Sequence, residues 1–394
     1  MTNGPLTGLH VLDLSRVLAA PYATMALGEL GADIIKVERA SQGDDTRQWG
    51  PPFVAGESTY YLGINRNKRS IALNLQNESD REIVRDLSLG WADIVVENFR
   101  PGTLERWGMG LDSLRQANPR LITATVRGYP AGDDRPGYDF VIQAGAGLMS
   151  ITGDVDGPPV KVGVAVADII TGLFLLSGIE AALYRREKMG RGDHVEASLW
   201  ESQLAALATI VQGHLSTGQS PRRWGNAHAQ LAPYQIFPTR DGWIALGVGN
   251  EGQFEALCQV LGHGEWSRDP RFLTNRDRVN NRDDLQGLLT EVLQGDATTT
   301  WVDRLEAVGV PAGPVRTVPE ALAFAQAKGH GVIGSLSHPT LGSLEQIRLP
   351  WRFDESAAAM RLPPPLLDEH REQILELVQR IRRSPERTGL GRHE

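Results

Sequence analysis

The chain has 394 residues, 41% hydrophobic and 22% charged, with 43 glycines, one cysteine and a net charge of −8. At ~100–200 residues per domain, this length makes two or three domains, each able to bury a core. The lone Cys258 excludes a disulfide framework or a cysteine-based metal site and suits a reducing, cytoplasmic setting, while the mild acidity offers no global attraction for nucleic acid or membrane.

The N-terminus shows no basic region followed by an apolar run, so neither a signal nor a transit peptide is expected. Residues 9–14 read as a strand, and Pro21 sits in the first turn of a helix that ends near Gly31. Residues 33–38 read as a second strand, which completes a βαβ unit and starts a parallel sheet. The alternation continues through strands at 70–75, 92–98 and 120–126, with a helix near 79–88. The fold class is therefore α/β, with a Rossmann-like large domain. Its first turn, residues 15–21, lacks the G-x-G-x-x-G that lets a pyrophosphate approach the backbone, so no nicotinamide site is expected there.

Apolar helices are expected near 166–187 and 195–214. The first falls in a membrane-like stretch, but Asp168 and Glu180 make a buried helix the better reading. Residues 216–232 are polar and Gly-rich and read as a linker. Residues 233–325, a hairpin followed by short amphipathic helices, form a smaller α+β domain. A final helix near 368–383 runs into a basic tail with Arg380, Arg382, Arg383 and Arg387.

Three patterns bear on chemistry. Residues 161–168 look like a strand that delivers the Asp168 carboxylate to the start of an apolar helix, whose N-terminus keeps it ionised; an N-cap and a functional carboxylate both fit. Residues 247–252 spell G-x-G-x-x-G after a strand, which fits a turn, a mobile loop or a nucleotide site. Cations at Lys36, Arg39, Arg66, Lys68, Arg69 and Arg106 fit either a solvated surface or a phosphate-bearing ligand. No metal-ligand spacing and no G-x-S-x-G elbow occurs, so no metal is expected.

Taken together, several segments resemble the class III CoA-transferases. They are Val11-Leu-Asp-Leu-Ser-Arg-Val-Leu-Ala-Ala-Pro, Gly31-Ala-Asp-Ile-Ile-Lys-Val-Glu-Arg, Asn67-Lys-Arg-Ser-Ile, Glu97-Asn-Phe-Arg-Pro-Gly, the Asp168 segment, Gly190-Arg-Gly-Asp and Pro365-Leu-Leu-Asp-Glu-His. Residues 43–53, 223–228 and 241–250 resemble the succinyl-CoA–glutarate branch of that family.

The resemblance implies that Asp168 is a nucleophile forming an aspartyl-CoA thioester, with Gly247, Gly249, Asn250 and Gly252 in an active-site loop. It implies CoA contacts at Arg39, Lys68, Asn98, Phe99 and Arg106, and an acyl pocket at Tyr138. Arg47 and Arg223 are the candidate cations for a second substrate carboxylate. Leu18 stands where formyl-CoA transferase has Gln, which argues against the formyl and oxalate pair. Tyr138 replaces the His of the 2-methylacyl-CoA racemases, which argues against α-proton exchange.

The implied activity moves CoA from an acyl-CoA, such as succinyl-CoA, to a free glutarate-like acid. A racemase, a monocarboxylate or carnitine acceptor and a non-catalytic CoA-binding protein are the alternatives. Coenzyme A would be a substrate, with no tightly bound cofactor and no nucleic-acid or membrane partner. The implied architecture is an interlocked homodimer. Its large domain spans residues 1–215 and is completed by a return segment, 326–394.

Overall fold

The computed structural model describes residues 4–383. The chain falls into two compact units: Met1–Leu148, Val162–Ser216 and Gly331–Glu394 make one, and Met149–Lys161 with Thr217–His330 make the other.

The larger unit is built on six parallel strands: β1 (His10–Asp13), β2 (Asp33–Arg39), β3 (Lys68–Leu73), β4 (Ile94–Glu97), β5 (Ile122–Arg127) and β6 (His194–Ser198). Their spatial order is β3-β2-β1-β4-β5-β6, the doubly wound arrangement whose ligand crevice lies beyond the carboxyl ends of the strands. Successive strand residues feed opposite cores. Val11, Ile34 and Val96 pack with α1 (Ala19–Glu29) and α4 (Val166–Met189), whereas Leu12, Ile35 and Val95 pack under α2 (Glu78–Gly90). Burial on both faces explains why the inner strands β1, β2, β4 and β5 read as apolar runs, whereas edge strand β6 is only partly buried. Helix Arg371–Arg383 returns to this second core through Ile374 and Val378. Arg387 of the expected basic tail lies outside the described residues.

Between β5 and α4 lies the short helix α3 (Asp139–Gly145). Helix α4 is long and apolar enough to cross a membrane by composition, yet one face packs on α1 and the sheet. There Gly172 is pressed on the Ala19 carbonyl so closely that a Cβ would lie 2.5 Å from that oxygen. Phe174 and Tyr184 on α4 remain exposed.

The smaller unit holds an antiparallel sheet of β7 (Tyr234–Pro238), β8 (Trp243–Gly247) and β9 (Ala312–Pro314), with β8 central. Phe237, Ile244 and Leu246 pack with Phe254, Leu289 and Trp301 from its helices. Cys258 is buried in this core, and burial pushes its thiol up to about 12, far from a reactive thiolate.

Three expectations are corrected. Residues 194–198 form β6 rather than the start of a helix, because α4 stops at Gly190 in the left-handed conformation and the chain then pairs with β5. No strand forms over 161–165. Residues 149–161, residues 217–232 of the expected linker and residues 326–330 of the expected return segment all belong to the smaller unit. Within it, Arg223 donates to the Asp154 and Gly157 carbonyls at 2.9 and 2.6 Å, fixing the first two of these segments together.

Candidate active site

The turn after β1 is held from several sides. Fully buried Asp13 accepts hydrogen bonds from Ser15 N–H at 3.0 Å, Thr24 Oγ1 at 2.6 Å and Lys68 Nζ at 3.0 Å. Lys36 Nζ donates to the Ser15 carbonyl at 2.7 Å and pairs with Asp44 at 2.9 Å. Asn98 clasps Arg16 from both sides: its Oδ1 accepts the Arg16 N–H at 3.0 Å and its Nδ2 donates to the Arg16 carbonyl at 2.7 Å. Val17 is thereby held at φ 69°, a left-handed conformation costing a β-branched residue about 1–3 kcal/mol. The strained turn leads straight into α1, whose first residue is Ala19.

Asp168 lies in the first turn of α4, and its carboxylate accepts the Ala19 N–H, so the positive end of α1 faces it. The free amides of α4 itself are taken by Asp139. Its Oδ1 accepts Ala167 N–H at 2.8 Å and Asp168 N–H at 3.4 Å, while its Oδ2 accepts Gln143 Nε2 at 2.6 Å. Gln143 is fully buried and braces the approach to α4 by accepting Val162 N–H at 2.9 Å. Burial first, and then the neighbouring Asp139, push the Asp168 carboxyl up to about 7, against the opposing Ala19 N–H. The expected ionisation by its own helix N-terminus is thus corrected: that terminus serves Asp139. Tyr60 stands near the same carboxylates; burial, then Asp168 and Asp139, raise its phenol to about 12 and keep it a proton donor.

Asp168 opens on a cavity of about 250 Å³ lined also by Arg16, Leu18, Phe99, Arg100 and Tyr138. A larger cavity of about 600 Å³ lies beyond the carboxyl ends of β1 to β4 and is lined by Arg39, Leu75, Thr103 and Trp107. Arg16, Phe99 and Arg100 line both cavities. Phe99 meets Trp107 edge to face, with ring centroids 5.5 Å apart.

The expected site residues therefore separate. Asp168, Tyr138, Asn98 and Phe99 share the smaller cavity, and Arg39 and Phe99 the larger one. Asn98 spends its side chain on Arg16. Arg106 is exposed, donates to Thr103 Oγ1 at 3.0 Å and lies outside both linings. Lys68 is corrected: fully buried, its Nζ donates to Asp13, to the Pro21 carbonyl at 2.9 Å and to Asn65 Oδ1 at 3.0 Å, leaving no donor for a ligand. Burial lowers its ammonium to about 8, even with Asp13 beside it. Its neighbours are likewise committed, Arg66 to Glu29 and Arg69 to Asp33.

Arg47 is corrected too. Its Nε and Nη2 each donate to Glu38 at 2.7 Å, and Nη2 also reaches the Tyr61 hydroxyl at 2.6 Å. Arg223 belongs to the smaller unit and is occupied by the loop carbonyls there. The loop glycines are in that unit as well. Asn250 caps helix Glu251–Val260 by accepting Gln253 N–H at 2.9 Å, and Gly249 N–H donates to Gln253 Oε1 at 2.8 Å. Gly252 is already in the helix rather than in the loop. Gly247, Gly249 and Asn250 line a cavity of about 710 Å³ on this unit.

Sequence reasoning missed Asp139, Tyr60, Arg16, Arg100 and Trp107. Two carried a signal: Asp139 follows Tyr138 directly, and Arg100 lies inside the Asn98-Phe-Arg-Pro-Gly stretch. Among the described residues no cluster of metal-ligating side chains occurs.

Comparison with known proteins places the chain in a defined neighbourhood. The family model described as CoA-transferase family III matches residues 6–371. Human succinyl-CoA:glutarate CoA-transferase is 41% identical over 379 residues, covering 95% of this chain and 86% of its own. Succinate–glutarate CoA-transferase of Agrobacterium fabrum is 40% identical, covering 96% and 97%. A crystal structure of a CaiB/BaiF family protein from Brucella suis superposes with a TM-score of 0.84 at 40% identity, covering 95% of this chain and all of that one.

Proposed function

Because this chain belongs to CoA-transferase family III, we propose that it moves CoA from succinyl-CoA to a glutarate-like dicarboxylic acid, with Asp168 as the nucleophile. The observation that carries this reading is a carboxyl group held near pKa 7 in a small cavity that shares Arg16, Phe99 and Arg100 with a larger, nucleotide-sized one. The relatives' substrates supply the acid pair.

The Asp168 carboxylate attacks the thioester carbonyl, the C–S bond breaks, and CoA leaves as a thiolate from a mixed anhydride. That thiolate attacks the Asp168 carbonyl and expels succinate, leaving an aspartyl-CoA thioester. The incoming acid's carboxylate attacks this thioester, releasing the thiolate and forming a second anhydride. The thiolate then attacks the acceptor's carbonyl and frees Asp168. Like bonds are exchanged, so no nucleotide hydrolysis is needed.

The Ala19 N–H at the start of α1 is positioned to stabilise charge developing on the Asp168 oxygens. Arg39 meets phosphate oxygens in the larger cavity, and Phe99 with Trp107 forms an apolar wall for the nucleotide end. Each intermediate is destroyed by water. The mechanism therefore requires that water be kept from Asp168 during turnover. The exposed Phe174 and Tyr184, and helix Val318–Ala327 with no buried residue, support a homodimer as the working form. The one buried thiol suits a cytoplasmic setting.

Incubation with succinyl-CoA followed by hydroxylamine trapping and mass spectrometry should find the adduct on Asp168. An unmodified Asp168 refutes the covalent route. Equal turnover of acetate, carnitine and glutarate as acceptors refutes the dicarboxylate assignment.

A further inference from the structure

A dicarboxylic acyl group brings a second negative charge into a cavity that already holds Asp45, Asp133, Asp134 and Asp168. Binding it requires a cation that is not already neutralised. Arg47 and Arg223, the residues the sequence offers for this role, are committed elsewhere. The cavity itself is lined by four arginines: Arg16, Arg100, Arg127 and Arg135.

Three of the four have acidic partners. Arg127 pairs with Glu196 at 2.9 Å, and Arg16 with Asp45 at 3.5 Å. Arg135 pairs with Asp133 at 2.6 Å and lies over the Tyr129 ring, 4.2 Å from its centroid. The Arg100 guanidinium has no hydrogen-bond or ion-pair partner among the described residues. Its backbone is nonetheless fixed. The Arg100 carbonyl accepts Thr103 N–H at 3.1 Å across a turn in which Gly102 sits at φ 75°, and Asn98 two residues earlier is bolted to Arg16. A free planar cation on an anchored turn, in the same cavity as the nucleophile, is suited to bidentate capture of a carboxylate.

We propose that Arg100 binds the far carboxylate of the acyl group while Asp168 reacts with the near one, and so sets the preference for diacids. This rests on the CoA-transfer reading above. Arg100 also lines the larger cavity, where the same guanidinium chemistry would fit a phosphate of CoA. Arg39 is available for the phosphates there, and Arg100 is the cation in the Asp168 cavity left without a protein partner. The carboxylate is therefore the assigned ligand.

The test uses Arg100→Met, which keeps the alkyl stem, and Arg100→Lys, which keeps the charge. With saturating succinyl-CoA, kcat/KM for the acceptor reports only the half-reaction from the aspartyl-CoA thioester. Glutarate is compared with pentanoate, which has the same chain length and no second carboxylate. Arg100→Met should lose roughly 100-fold in kcat/KM on glutarate, mostly in KM, and less than about threefold on pentanoate. Arg100→Lys should recover part of the loss. Calorimetric Kd for free CoA should stay within about twofold of the parent in both variants.

Equal losses on both acids, or CoA binding weakened about tenfold, overturn the proposal; the latter assigns Arg100 to a phosphate. If Arg100→Met fails so while the parent enzyme still prefers glutarate, the inference falls alone. A parent enzyme that treats the two acids alike overturns the dicarboxylate reading with it.

Discussion

Asp139 and Asp168 compete for the same few backbone amides, and Asp139 wins those of α4. It accepts Ala167 N–H at 2.8 Å, while Asp168 turns to the Ala19 N–H of another helix. Burial and the like charge together leave the Asp168 carboxyl near 7, half ionised at neutral pH. If Asp168 is the nucleophile proposed above, only its carboxylate can attack, and kcat/KM for succinyl-CoA should rise through roughly pH 6–8 and level off above it. Asp139→Asn removes the like charge but keeps an oxygen for Ala167, so the acidic limb should move to lower pH. An unmoved limb would assign the shift to burial alone.

A second consequence follows for stability. The folded carboxyl holds its proton up to about 7, whereas the ordinary value is 3.8. A group that binds its proton more tightly when folded favours folding only while it is protonated. That advantage fades as pH rises between those two values. Asp168→Asn should therefore stabilise the protein at pH 8, by about 1–3 kcal/mol, and leave stability nearly unchanged at pH 4. Denaturant titrations at the two pH values measure the difference.

Gly172 fixes how closely α1 approaches α4. A methyl group there would lie 2.5 Å from the Ala19 carbonyl, which is backbone and cannot swing away. Gly172→Ala should push the start of α1 off its seat and withdraw the Ala19 N–H from Asp168. We expect a loss of about 1–3 kcal/mol in stability and at least roughly tenfold in kcat. KM for the acyl-CoA should change less, because the larger cavity is lined by other segments. A drop in stability with kcat preserved would show that the amide is dispensable.

The parallel sheet was legible because strands buried on both faces leave apolar runs that a single pass detects. The position of Asp168 was legible for a related reason: one carboxylate at the head of a 24-residue apolar helix is conspicuous. The cations were not, since sequence cannot say which acid each will meet. Lys68 opens β3 at its amino end, away from the carboxyl-end cavities, and its side chain ends on Asp13. Arg39 closes β2 at the carboxyl end and reaches the cavity wall. Strand β6 was missed because five residues of mixed polarity, next to apolar helices, show their strand character only beside β5. Asp139 was overlooked because its role depends on α3 meeting α4 across 28 residues of chain.

Lys68 separates structural from ligand roles cleanly. Lys68→Met fills much the same volume but leaves Asp13 buried without its closest cation, which should cost about 3–5 kcal/mol. Chemical denaturation will measure this loss. In the fraction that remains folded, KM for succinyl-CoA should stay within about threefold of the parent. The double variant Asp13→Asn with Lys68→Met should recover part of the stability, because the orphaned charge is gone. A large rise in KM at unchanged stability would return Lys68 to the binding site.

Arg39 and Arg106 both lie near the larger cavity, but only Arg39 lines it. Arg39 is half exposed and loosely held, donating to Gln42 at 3.1 Å with Asp45 3.8 Å away, so it can turn to a phosphate at little cost. Arg39→Ala should raise KM for succinyl-CoA roughly tenfold with kcat nearly constant, the pattern of lost uniform binding. Arg106 acts from outside, across solvent, where a Debye length of about 8 Å at physiological salt limits its reach. Arg106→Ala should raise KM about twofold at low salt, and the effect should vanish near 0.5 M salt, roughly where such fields are screened. A KM effect at Arg106 that survives high salt would mean a direct contact, made only once the acyl-CoA is bound.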